Sequence, residues 1–380
     1  MAVNLSRNTK VFITTADLSV SNPVFLPANT WELQVLDGYS FSQSSDSSVV
    51  QLSEAGDTPV RGQRSFNNKR NPAEWSISTY MRPYRVAGAE GTADDEADAP
   101  ELRLWSALTS NSLTNYLSTA GATPVVSLDT TDSDKNQLAS FGLIFAVDNT
   151  VYAIENCAVN QAEVSFDLTG IATIAWSGMG NVVKNITTSP LDANKQPDAT
   201  KCTIFPITVA DAKYAQTFIT NKLSTTVLAR GFSGGTTYTV PLTGGTLTYT
   251  NNIEYVTPDT LGIVDAPIGY FTGSRSISGN ITAYLRSGAN NDTSQLIADS
   301  LANSTDVEPK YRLTINVGGT TAGNPYVVFN MPYTTIQFPT IEIQDVVSTT
   351  INFTAQGASA GNFEVTANNE LTVEYHPAAA

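Results

Sequence analysis

The sequence alternates. Lys10-Val11-Phe12-Ile13-Thr14, Glu74-Trp75-Ser76-Ile77-Ser78-Thr79-Tyr80-Met81, Glu163-Val164-Ser165-Phe166-Asp167-Leu168 and Glu370-Leu371-Thr372-Val373-Glu374-Tyr375 set apolar residues against Ser, Thr or charged ones at every second position. A period of two sends successive side chains to opposite faces of a strand, so a chain dominated by it builds sheets with one face buried and one wet. Thr, Val, Ile, Tyr and Phe supply the β propensity, and Gly and Pro break the runs at short intervals. Helical spacing is confined to a few stretches. Pro100 to Leu108 starts with Pro at an N1-like position and Glu101 in the first turn, and Thr293 to Ala302 opens on Thr293 or Ser294 as N-cap. Val209 to Lys222 is a weaker third stretch. The expected class is all-β, with one short helix per domain.

The signals also recur in order. Asp57-Thr58-Pro59-Val60 has a counterpart in Asp265-Ala266-Pro267-Ile268, and Ser76-Ile77-Ser78-Thr79-Tyr80-Met81-Arg82 has one in Asn280-Ile281-Thr282-Ala283-Tyr284-Leu285-Arg286. A polar loop and a helix follow in both places. Then Tyr152…Glu155-Asn156-Cys157 is echoed by Tyr326…Phe329-Asn330-Met331, and Ile174 to Gly180 by Ile351 to Gly357. Four matches fall in one order by chance about one time in 24, so the reading is a tandem duplication. It predicts two copies of one module, residues 1–184 and 201–380. The linker expected between them, 185–200, is where Thr, Ser, Pro, Asp, Asn and Lys cluster.

Composition removes most chemistry. With 20 Lys+Arg against 35 Asp+Glu, the 380-residue chain carries a formal charge of −15 and offers no basic grip on nucleic acid. His376 is the only histidine and lies close to the C-terminus, so an imidazole base or a His-ligated metal would need the tail folded into a site. Cys157 and Cys202 are too few for a four-thiolate metal site or a disulfide framework and are expected as reduced thiols. Met1 to Lys10 lacks the apolar stretch of a signal peptide, and nowhere do 18 apolar residues run together. The expectation is a soluble protein of a cytoplasm-like compartment, with no membrane contact. Sequons at Asn185, Asn280 and Asn352 are what an Asn-, Ser- and Thr-rich chain produces by chance.

The remaining motifs have structural readings. The acidic run from Glu90 to Glu101 lacks the spacing of an EF-hand and reads as a solvated loop. Asp129 to Asp134 reads as an Asx-type turn, and Gly234-Gly235, Gly244-Gly245 and Gly318-Gly319 as hairpin turns, since no Lys-Ser/Thr follows them. Nothing marks a catalytic carboxylate pair. No enzyme activity, cofactor or metal is expected. Asp37 to Phe66 stands apart, being too long for an ordinary hairpin connection. Val49, Val50 and Leu52 interrupt its polar run, and Glu54, Pro59 and Arg61 follow, so it reads as an arm that buries itself on a neighbouring molecule through these six residues.

Trp31 to Gln43, Leu52 to Gly62 and Asn71 to Tyr84 resemble the major tail tube proteins of tailed bacteriophages, and Thr272 to Tyr284 is similar to that family's central strand. The likeness covers the core of both units and rests on pattern and order. It implies a β-sandwich or open barrel flanked by one helix, in subunits that form rings stacking into a hollow tube for genome passage. The arm would reach the adjacent ring, and Trp75, Ile77, Tyr80, Ile281 and Tyr284 would lie in tube-wall strands. The implied location is the virion tail, after assembly in the host cytoplasm. The implied partners are further copies of the chain, a tape measure protein and DNA in the lumen, baseplate or tail-tip proteins and a tail terminator, with a sheath protein if the tail contracts. The departure is the duplication, since most members carry one tube domain per chain in hexameric rings. Barrel width grows with strand number. Six units of about four strands give about 24 strands, which three two-unit chains supply and six would double, so a trimeric ring with pseudo-sixfold symmetry is expected. The alternative from another class is a carbohydrate- or receptor-binding β-sandwich module of the virion, which would group exposed aromatics on one face. A capsid protein would need neither two similar units nor an arm.

Overall fold

The computed structural model describes residues 8–51, 62–86, 96–121, 123–129, 137–148, 150–205, 218–231, 235–258, 261, 266–288, 291–302, 311–319, 323–337, 339–342, 346–357 and 370–378. The first half runs β1 (Thr9–Thr14), β2 (Thr30–Leu33), β3 (Ser40–Ser42), β4 (Ser45–Gln51), β5 (Gln63–Arg70), β6 (Ala73–Tyr80), β7 (Tyr84–Val86) and β8 (Glu96–Asp98). It continues with helix α1 (Leu102–Thr109), β9 (Leu117–Thr119), β10 (Val125–Asp129), β11 (Phe141–Val147), β12 (Thr150–Asp167), β13 (Thr173–Gly180) and β14 (Val183–Ile186). The second half runs β15 (Thr225–Arg230), β16 (Thr237–Thr239), β17 (Leu242–Thr250), β18 (Ile253–Val256), β19 (Gly269–Thr272), β20 (Ser276–Tyr284) and helix α2 (Thr293–Ala302). It ends with β21 (Tyr311–Val317), β22 (Tyr326–Ile336), β23 (Thr340–Glu342), β24 (Ser348–Ala355) and β25 (Thr372–His376). The fold is all-β, and every strand pairing is antiparallel apart from an isolated parallel bridge, Trp31 to Thr203.

Pairing in the second half repeats that of the first. β2–β1–β11–β12–β14 forms an outer sheet, and β16–β15–β21–β22–β25 follows the same order. β3–β6–β13–β12 forms an inner sheet, matched by β17–β20–β24–β22. β12 and β22 each serve both sheets of their half, the N-terminal part pairing outward and the C-terminal part inward. Register shifts between Phe141 and Leu143 and between Val159 and Gln161 let β12 turn this corner, since an extra residue kinks and twists a strand. The two inner sheets become one of eight strands where β12 pairs with β17, over seven residue pairs from Gln161↔Thr250 to Asp167↔Gly244.

The core lies between inner and outer sheets. α1 is buried along its whole length, and Trp105 packs edge-on to Trp176 at 5.0 Å between ring centroids and against Phe329 at 6.1 Å. Burying an aromatic of this size contributes about 2–3 kcal/mol. The Trp105 indole N–H also donates to the Tyr375 hydroxyl at 2.8 Å, so the first half's helix is closed over by β22 and β25 of the second. β10 reinforces this by pairing with β25, Val126↔Tyr375 to Asp129↔Thr372. α2 buries only Thr293, Leu296 and Ile297 and leaves Leu301 61% exposed. The segment 185–200, expected as a linker, places Ile186 and Leu191 in a small cluster with Phe12, Phe25, Ile144 and Cys202.

Several local expectations change. α2 is capped by Asp292, not Thr293 or Ser294: its Oδ1 accepts the Gln295 N–H at 3.0 Å, while Thr293 Oγ1 donates to the Tyr284 carbonyl. α1 begins at Leu102, with Glu101 at the N-cap, not in the first turn. Gly244 and Gly245 lie inside β17, not in a turn. A side chain on Gly245 would meet the Phe166 ring at 2.7 Å and the Asn280 carbonyl at 2.4 Å, so glycine lets two strands and a ring come together. Gly318 and Gly319 do turn the chain, both with positive φ. The acidic run is not a solvated loop throughout: Glu96–Asp98 is β8, Asp98 faces Arg103 at 3.4 Å and Glu101 is fully buried, while 90–95 lie outside the described residues. Of the third helical stretch, 209–217 lie outside them too, and Asn221–Leu223 forms a single 3-10 turn.

Candidate assembly surfaces

The eight-stranded sheet has a buried face and a polar one. Trp75, Ile77 and Ile281, each 2% exposed, point into the core, while Tyr80 and the 44%-exposed Tyr284 sit at strand ends on the other face. That other face carries Ser76 and Ser78 of β6, Thr173 and Ser177 of β13, Thr246, Thr248 and Thr250 of β17, Ser278, Asn280 and Thr282 of β20, and Thr350, Asn352 and Thr354 of β24. Hydroxyls and amides pair across strands: Ser40 with Ser76 at 2.8 Å, Thr243 with Thr282 at 3.1 Å, and Asn280 Nδ2 donating to Thr246 Oγ1 at 3.0 Å. None of the strands of this sheet contains Lys, Arg or His. Among the residues whose side chains are described, the carboxylates on the polar face are Glu74, Glu163 and Asp167. Asp167 is held below the usual carboxylate range by N–H donation from Gly170, then by Asn221 and the Thr169 N–H. A face of hydroxyls, amides and a few carboxylates neutralises no phosphate and so supplies none of the affinity that holds nucleic acid.

The sheet also has two edges. Among the described residues, β3 at one end is three residues long and pairs only with β6. At the other end, β22 and β23 together form the strand beside β24, interrupted between Gln337 and Thr340, with Ile341 43% exposed.

Two hairpins rise from one rim of the sheet. β18–β19 lies down on the first half: the Tyr255 hydroxyl faces the carbonyls of Asn156 at 2.6 Å and Met179 at 2.8 Å, and Tyr270 donates to Leu138 at 2.6 Å. Burial pushes the Tyr255 phenol far above its ordinary range. Asn251 Nδ2 adds a bond to the Leu108 carbonyl at 2.8 Å, tying this hairpin's base to α1. Among the described residues, β4–β5, the counterpart, shows no hydrogen-bonded anchor of that kind. Val49, Val50 and Phe66 are 54%, 44% and 55% exposed. The arm read from Asp37 to Phe66 is narrower in the structure, since Ser40–Ser42 belongs to the sheet and the hairpin spans Ser45 to Arg70. Leu52, Glu54, Pro59 and Arg61 lie outside the described residues. Sequence reasoning missed the Tyr255–Tyr270 anchor, although Ile253-Glu254-Tyr255-Val256 alternates.

The other chemical groups are placed structurally. Cys157 and Cys202 are free and buried, and burial raises both thiols, Cys202 to about 11. His376 stacks on Tyr326 at 4.3 Å and lies 3.4 Å from Glu374.

A β-sheet protein with one long face whose strands carry no Lys, Arg or His, with sheet edges, and with a polar hairpin that exposes Val49, Val50 and Phe66, has surfaces suited to joining copies of itself. The sequence profile of the phage tail tube protein family matches residues 15–367, and the chain belongs to that family. It is 32% identical to the tail tube protein pb6 of Escherichia phage T5 over 366 residues, 93% of this chain and 73% of that protein. The chain is thus a structural tail tube subunit of the virion. The comparisons give no support to the carbohydrate- or receptor-binding alternative.

Proposed function

We propose that three copies of this chain close into a ring and that rings stack into the hollow channel through which the phage genome leaves. The observation that carries this is the eight-stranded inner sheet made of two four-strand sets in one order. Three such sheets give about 24 strands, a barrel wide enough for duplex DNA. On this reading residues 1–184 and 201–380 are two tube-type units with 185–200 between them, supported by the repeated pairing order. Trp75, Ile77 and Ile281 brace the wall from its core side, and Tyr80 and Tyr284 sit at one rim of its lining.

The polar face is the lumen in this reading. Phosphates meet Glu74, Glu163, Asp167 and neutral hydroxyls, so DNA slides without a cationic foothold. The β4–β5 hairpin reaches the adjoining ring with Val49, Val50 and Phe66, and the unlike ends of a ring give an open filament. The work done is assembly and passage, not bond-making. The fitting partners are a tape measure protein and DNA inside, tail-tip or baseplate proteins and a terminator at the ends, and a sheath if the tail contracts, with assembly in the host cytoplasm. Electron microscopy of tubes grown from the purified chain tests this. Hollow tubes of uniform width with three chains per ring are expected, and six chains per ring, or a chain that stays monomeric, refutes it.

A further inference from the structure

The seam inside the chain is a template for the seam between chains. Four-strand sets occur twice, and their junction is β12 on β17. The counterpart of β17 in the first half is β3, because Thr246↔Asn280 and Thr248↔Ser278 match Ser40↔Ser76 and Ser42↔Glu74 in the repeated sequence. The counterpart of β12's inner part is β22 with β23. Gln161↔Ser177 and Ala162↔Trp176 correspond to Thr335↔Thr354 and Ile336↔Phe353, and Ser165↔Thr173 to Thr340↔Thr350. Between Gln337 and Thr340 the second half has two residues where the first has one, Val164 between Glu163 and Ser165. Among the described residues both counterparts are edges in the single chain, and each lacks the strand partner that its twin has inside it.

Resting on the ring reading above, we propose that Thr335–Gln337 and Thr340–Glu342 of one copy lie antiparallel on Gly38–Ser44 of the next, in the register of the internal seam. Glu163↔Thr248 then becomes Gln337 against Ser42, and Ser165↔Thr246 becomes Thr340 against Ser40. Phe166 over Gly245 becomes Ile341 over Tyr39, a large–small pair exchanged for a medium–large one. This covers Ile341, which is 43% exposed in the single chain. The open side of α2 fits the same arrangement. α1 is closed by strands of the set that follows it, whereas α2, with Leu301 61% exposed, has no following set until a second copy arrives.

Cysteines placed at Gln337 and Ser42 test the register in assembled tubes. Both positions are exposed and the native thiols are buried, so background linkage is small. Chains carrying Gln337→Cys and Ser42→Cys should link under mild oxidation into a ladder that ends at the trimer, and a mixture of the two single variants should give dimers only. Gln337→Cys with Ser40→Cys should stay unlinked, because a diagonal pair sits about 7–8 Å apart and a disulfide needs about 4 Å between Cβ atoms. Tubes whose chains do not link, or link through Ser40 and not Ser42, overturn the seam while leaving the tube reading intact. A wild-type chain that never leaves the monomer overturns both.

Discussion

Replacing Glu101 with Gln should flatten the fall in stability that this buried carboxyl is expected to cause as pH rises through neutrality. Glu101 is fully buried where α1 begins, its Oε1 accepting the Arg82 N–H at 2.9 Å and its carboxyl facing Tyr375 of the last strand. Loss of water outweighs these hydrogen bonds and pushes it from 4.5 up to about 7. Below 4.5 the carboxyl is protonated in folded and unfolded chains alike and favours neither. Between 4.5 and about 7 the unfolded chain gives up the proton while the folded one keeps it, so stability drops until the buried group ionises too. At about 1.4 kcal/mol for each pH unit, the gap amounts to about 3 kcal/mol lost by pH 8. Gln keeps an acceptor for Arg82 and never ionises. Urea unfolding of the unassembled chain, followed by the fluorescence of Trp105 and Trp176, reads this directly. The difference between variant and wild type should grow by about 3 kcal/mol from pH 4.5 to pH 8, other carboxylates cancelling. Parallel profiles would show that Glu101 stays ionised in the fold and would refute the burial argument.

Other perturbations probe the sheet, the docked hairpin and the lining. Gly178→Ala puts a Cβ 2.2 Å from the Ala158 carbonyl and 2.4 Å from the Trp75 ring, both fixed in the sheet, and should cost about 3 kcal/mol in urea unfolding. Tyr255→Phe strips a buried donor from the Asn156 and Met179 carbonyls. It should cost about 1–3 kcal/mol, with faster amide exchange in β18 and β19 than in β6. Glu163→Lys places a cation mid-strand on the polar face, and DNA release from particles carrying it should slow at low salt and recover at high salt. Release at the wild-type rate in both would count against that face lining the channel.

The strands were legible because burial here obeys the period that the sequence displays. In β6 Ala73, Trp75, Ile77 and Thr79 are buried and the residues between them are not, as the alternation requires. α2 was legible for the complementary reason, a short amphipathic run behind a polar cap. What escaped was set by partners far away in the chain. β3 is only three residues long and is a strand because β6 lies beside it. Gly244-Gly245 has the composition of a turn, yet its place in β17 depends on the Phe166 ring and the β20 backbone. Glu101 belongs to a run whose charge reads as solvated, and only the closure of β25 over α1 takes it out of water. Of the arm, the exposure of Val49 and Val50 matches an apolar insertion in a polar segment, but its base could not be placed without knowing that Ser40–Ser42 is claimed by the sheet.

In the proposed ring, joining two units in one chain allows the internal junction and the junction between copies to differ. The internal junction has seven residue pairs, the β10–β25 ladder over α1, and the Tyr255 and Tyr270 anchors. The open edges offer a three-residue strand on one side and a strand interrupted beside Pro339 on the other. Such edges are poor templates for stray pairing, because a short strand, an irregular backbone and a proline each remove regular hydrogen-bonding positions. A linear dimer would still present one edge of each kind, as the single chain does, so adding a copy gains one short seam and relieves neither end. Closing the proposed ring would leave the inner sheet no edge at all. In the proposed ring the weak seam and the strong seam would therefore have complementary effects: the strong one would hold each pair of units in register before assembly, and the weak one would favour the closed ring over the open chains that lead to it.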